Sequence, residues 1–139
     1  MKTMKSILPA LVLFLGLTAA VLAQDAIVQK EIKGKSGQVM RIAVFTSILP
    51  DCTGGPLPTV RLVTPPSHGT VIVKKGNLNA TNVKQCLALE VPALVAFYKS
   101  ASDYAGTDTA ILEIKSAQGS AQLQRFSITV SPAIPAQKI

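Results

Sequence analysis

Residues 59–75 read TVRLVTPPSHGTVIVKK. Two β-branched runs, 59–63 and 70–75, flank Pro65-Pro66-Ser67-His68-Gly69. A proline has no N–H to give to a sheet ladder, so the first run must stop at Pro65 or lie at an edge. Pro66 presets a turn φ, and Gly69 is free to take a positive one. In the second run Val71 and Val73 alternate with Ile72 and Lys74. That period of two marks a strand with two different faces. Together these residues predict a β-hairpin over 59–75.

The same alternation recurs outward in both directions. Residues 27–33 and 38–46 read as strands, the second with Met40, Ile42 and Val44 on one face and Arg41 on the other. Toward the C-terminus, 94–99 is apolar and β-prone. Residues 109–115 set Leu112 and Ile114 against Glu113 and Lys115, and 121–130 lines up Phe126, Ile128 and Val130. Turn-forming residues separate these runs, while 47–58 and 78–93, with their Pro, Gly and Asn, predict irregular chain. About seven short strands at a spacing of roughly 8–12 residues predict an all-β, antiparallel β-sandwich. No helical periodicity is visible after the first 23 residues.

Those first residues predict a secretory signal peptide over 1–23. Lys2 and Lys5 supply its positive end, Ile7 to Leu17 its apolar stretch, and Val21-Leu22-Ala23 its small-residue cleavage site. Removal leaves 116 residues: a sandwich domain over 24–131 and a tail over 132–139 carrying Pro132 and Pro135. The expected location is periplasmic or extracellular, with no membrane span after processing. The exported chain carries twelve basic residues against seven acidic, a formal +5. That charge favours solubility and attraction to anionic surfaces. Lys74-Lys75 is the one adjacent basic pair, with Lys84 and Lys99 as possible neighbours and a solvated strand face as the plainer reading. Aromatics are only 4 % and there is no long basic stripe, so nucleic acid is not the expected partner.

Chemistry-bearing residues are few. One His excludes a multi-His metal centre. His68 lies in a Pro-Pro-Ser-His-Gly turn, which assigns it to architecture, and no Gly-x-Ser-x-Gly elbow supports a triad with Ser67 or Ser100 and Asp103. Asp103 and Asp108 bracket Gly106, but two carboxylates fall far short of a calcium cage, so they read as caps for loop N–H groups. Glu90 has no acidic neighbour for paired-carboxylate chemistry. Catalytic, metal and cofactor sites are therefore not expected, and the chain is not expected to be an enzyme. Cys52 and Cys86 are an even pair on an exported chain and predict a disulfide, against two free thiols or an intermolecular bridge.

Thr64-Pro65-Pro66-Ser67-His68-Gly69-Thr70-Val71, then Ala96-Phe97-Tyr98, then Asp103-Tyr104-Ala105-Gly106-Thr107-Asp108, resembles bacterial cadherin-like and Ig-like repeats. In those, a PPxHGTV hairpin precedes a Y…GYSGTD strand-loop-strand, and small secreted members carry one module with two Cys flanking the hairpin. The resemblance runs from Cys52 to about Ile114. It departs at Ala110, where the family has an aromatic, and within Lys99-Ser100-Ala101-Ser102, where the family has a Pro. It implies a structural role for Pro65, Pro66, His68, Gly69, Gly106 and Asp108. It also implies a non-catalytic binding or structural module that acts through loops or an edge strand. The partner would be a protein or an anionic envelope or glycan surface. The other reading is a small envelope inhibitor or escort forming a one-to-one complex with another protein.

Overall fold

The computed structural model describes Gly16 and residues 27–133. The expected signal peptide over 1–23 (Gly16 apart), its cleavage site and residues 134–139 lie outside the described residues. Among the described residues seven strands follow one another: Val28–Lys35 (β1), Val39–Thr46 (β2), Thr59–Thr64 (β3), Gly69–Val83 (β4), Cys86–Ser100 (β5), Gly106–Lys115 (β6) and Ala121–Ser131 (β7). They form two sheets, β1-β7-β6-β3 and β2-β5-β4, packed as a β-sandwich. Pairing is antiparallel except between β1 and β7, which run parallel.

The expected hairpin over 59–75 does not form. β3 pairs with β6 and β4 pairs with β5, so residues 65–68 carry the chain from one sheet to the other. The two prolines, which end β3, serve equally well at a corner between sheets as at a hairpin tip. The true hairpin is β4–β5, with continuous register from Gly69 opposite Ser100 to Thr81 opposite Ala88, and Val83 opposite Cys86 beyond. It absorbs residues 78–93, expected to be irregular. Asn82 and Lys84 take positive φ at its tip. Pro92 is tolerated because β2 ends at Thr46, opposite Ala93. The Pro92 carbonyl accepts a hydrogen bond from Thr46 Oγ1 at 2.8 Å. Its ring nitrogen therefore points to the side where β2 has ended, and no ladder bond is lost.

A β-bulge corrects the face assignment of β2. Arg41 pairs with Phe97 and Ala43 with Ala96, which leaves Ile42 as the extra residue. Alternation flips there. Met40, Ile42, Ala43 and Phe45 pack inward, and Val44 turns out to 36 % exposure. The core closes on Tyr98 and Ala96 from one sheet and Leu112, Phe126, Ile128 and Val130 from the other, with the Phe126–Ile128–Val130 face as the alternation predicted.

Residues 47–58 fold as a compact loop, with Leu49 N–H donating to Thr53 O at 2.8 Å and Gly55 N–H to Ser47 O at 2.8 Å. The Cys52–Cys86 disulfide fastens this loop to the hairpin, with Cα atoms 5.6 Å apart. Among the described residues no helix is long and apolar enough to cross a membrane.

Candidate functional site

Asp108 is a buried carboxylate on β6, with 3 % of its surface exposed, and four donors converge on it. Oδ1 accepts from the backbone N–H groups of Ser67 and Thr109, each at 3.0 Å. Oδ2 accepts from His68 N–H at 3.0 Å and from Tyr98 O–H at 2.8 Å. One side chain thus ties the sheet-crossing corner to β5 and β6. Charge-assisted bonds of this kind are the strong ones, and burial makes each harder to replace with water. The N–H groups that Asp108 caps are those of Ser67 and His68 at the sheet-crossing corner and of its neighbour Thr109, and not those of its own 103–107 turn.

The fully buried Tyr98 is pushed well above the ordinary phenol range, first by burial and then by its hydrogen bond to Asp108. The sign of the pH effect follows directly. Unfolded tyrosine loses its proton near pH 10, while folded Tyr98 holds it. Its contribution to stability is therefore complete below about pH 10 and declines as pH rises from there toward the folded value. Midpoints of urea unfolding between about pH 9.5 and 11.5 should fall more steeply for the native chain than for Tyr98→Phe. The difference in slope should approach roughly 1.4 kcal/mol per pH unit. Parallel slopes would contradict the assignment.

The remaining turn residues hold that corner in shape. The exposed His68 stacks its ring flat on Tyr104, centroids 4.1 Å apart and planes within 6°. It engages Asp108 through its backbone N–H and not its imidazole. Gly69 does not take the positive φ expected of it. Its requirement is space, since a Cβ there would stand 2.6 Å from both Lys99 O and Tyr98 Cε2. Gly106 does take a positive φ, +146°, beside the Tyr104 hydroxyl that donates to Thr107 O at 2.9 Å. Asp103 is exposed in the 101–105 loop and does not join Asp108 in a shared site. Among the described residues no three His, Cys, Asp or Glu side chains gather into a metal-binding group.

A different feature is open to ligands. On the outer face of β2-β5-β4, register places three rows side by side: Val39, Lys99 and Thr70; Arg41, Phe97 and Ile72; Val44, Val95 and Lys74. Direct partners across strands share a face, so each row presents apolar surface and one cation. The last carries its lysine on β4, the second its arginine on β2 and the first its lysine on β5. Val39 is 64 % exposed and Ile72 50 %. They line, with Phe97, Lys74 and Lys99, a trough of about 790 Å³ that ends at the Ser67–Gly69 corner. Among the described residues no carboxylate lines it. Among the described residues the one ion pair, Arg61–Glu113, lies on the opposite sheet.

Sequence reasoning assigned Lys74 and Lys99 to a solvated strand and passed over Val39, Ile72 and Phe97. The signal was present in β5, whose run Ala93-Leu94-Val95-Ala96-Phe97-Tyr98 is apolar on both faces. Such a strand belongs where both faces are covered, and the described residues cover only one. Lys75 faces the row of Phe45 and Leu94, on the other side of the sheet, and Lys84 sits at the hairpin tip. Comparison of the chain with protein-family models, curated proteins and solved structures finds no match.

Proposed function

We propose that the protein is a non-catalytic binding module of the periplasm or cell exterior, with the outer face of β2-β5-β4 as its binding surface. The observation that carries this reading is the trough itself, in which exposed apolar side chains and unpaired cations share one face. Apolar patches rimmed by polar groups are uncommon on monomers and mark interaction sites. At the corner Asp108 is engaged by three backbone N–H groups and the Tyr98 hydroxyl, which supports a structural role for that carboxylate. The disulfide supports an oxidising compartment. The strand order, with β2-β5-β4 facing β7-β6-β3, supports the resemblance to Ig-like and cadherin-like modules.

The test is retention from the native envelope. The exported chain, immobilised, should retain a partner that Ile72→Glu and Lys99→Glu variants lose by at least about tenfold, which is about 1.4 kcal/mol of binding free energy. Arg61→Glu, on the opposite sheet, should leave retention unchanged. Equal retention by the trough variants, with unchanged melting temperatures, would overturn the assignment of this face.

A further inference from the structure

Resting on the reading of the trough as a binding surface, we propose that the partner it takes presents an extended, acidic segment that adds as a new strand to the free edge of β4, beside the trough. β4 is 15 residues long and, among the described residues, pairs only with β5. At such an edge every second residue turns its N–H and C=O away from the sheet, a template for an incoming strand.

The other edges are poorer templates. β2 is broken by the bulge at Ile42, and β3 by a register shift after Leu62 before it ends at Pro65. β1 carries Glu31 among its lysines. β4 keeps unbroken register from Gly69 to Thr81.

Charge selects the occupant. The only ionised side chains along β4 are Lys74 and Lys75, with Lys84 just beyond its end. Pairing β4 with a second copy of itself would bring two purely basic strands together, and like charges on facing strands repel. A strand bearing carboxylates meets the opposite situation. Register fixes where they belong: acidic residues opposite Lys74 and Lys75, apolar residues opposite Val71, Ile72 and Val73. The incoming side chains would widen the trough beside Ile72 and extend the core-side row beside Val73. A lipid surface would use the same cations, but it would not need the backbone of β4.

The probe is the peptide acetyl-TEEVIVT-amide, whose antiparallel register on Thr70–Gly76 sets its two glutamates opposite Lys75 and Lys74. Anisotropy titrations with the exported, disulfide-bonded chain should show saturable binding, at least tenfold tighter than for acetyl-TKKVIVT-amide. Lys74→Glu with Lys75→Glu should reverse that preference, a swap that loss of folding could not produce. Of two versions N-methylated on alternate residues, one should lose binding at least tenfold and the other should keep it. Equal binding of the two charge patterns would overturn the proposal, as would equal tolerance of both methylated versions or association with phosphatidylglycerol vesicles that displaces the peptide. If the peptide fails while Ile72→Glu still loses the envelope partner, the strand-addition proposal falls and the trough stands. If Ile72→Glu keeps that partner, the trough reading itself falls.

Discussion

Asp108→Ala is expected to lower unfolding stability by about 3–5 kcal/mol, which removes a large share of the roughly 5–15 kcal/mol typical of a domain. The size follows from what is left behind. Tyr98 keeps a hydroxyl at full burial with its acceptor gone, and the N–H groups of Ser67 and His68 lose theirs at the crossing between sheets. An orphaned buried donor costs about 1–3 kcal/mol, the part-buried N–H groups of Ser67 and His68 falling at the low end, and water admitted to the cavity offsets part of the sum. Asp108→Asn keeps the shape but turns one acceptor oxygen into a donor that faces other donors. Its expected loss is smaller, about 2–3 kcal/mol. Urea unfolding followed by far-UV circular dichroism gives both values. Losses under about 1 kcal/mol for the alanine variant would show that the corner holds its shape without the carboxylate.

The unequal legibility of the sequence traces to the range of the forces involved. Alternation such as Phe126-Ser127-Ile128-Thr129-Val130 is local, so strand number and the sandwich class could be read directly. Partner choice between strands is not local. Pro65-Pro66 says that β3 ends but not whether the chain turns back or crosses, and the deciding contact is Asp108, forty residues downstream of His68. The bulge at Ile42 is likewise a product of pairing with β5, and it alone turns Val44 outward. Pro92 read as a breaker because the end of β2 at Thr46, which makes it harmless, is written elsewhere in the chain. The turn motif could be assigned to structure from its residue types, whereas the trough could not be found from them. Val39, Ile72 and Phe97 lie on three strands and meet only through register.

Replacing both cysteines by alanine is expected to cost about 2–3 kcal/mol and to act unevenly across the molecule. The bond joins residues 34 apart in sequence. Closing such a loop removes roughly 3–4 kcal/mol of freedom from the unfolded chain. Against that stands Cys52, held at φ +68°. A side chain in the left-handed region costs about 1–2 kcal/mol, part of which is relieved once the loop is free. The local effect should exceed the global one. Beyond the Thr46–Ala93 pair, β4 and β5 continue as a two-stranded ribbon with, among the described residues, no third strand beside it. Isolated two-stranded ribbons are marginal in water. This one is held by the disulfide, by Gln85 Nε2 donating to Pro50 O at 3.0 Å, and by the loop lying against Val91 and Pro92. Without the bond, amide exchange over residues 78–91 should accelerate well ahead of that in β6 and β7, whose pairing the disulfide does not touch. The trough lies at the opposite end of the hairpin, around Ile72 and Phe97, and binding there should persist in the double variant below its lowered melting temperature. Uniform acceleration across all strands would mean that the ribbon and the sandwich open as one unit. Unchanged exchange at 78–91 would mean that packing of the loop, without the covalent bond, is enough to hold the hairpin down.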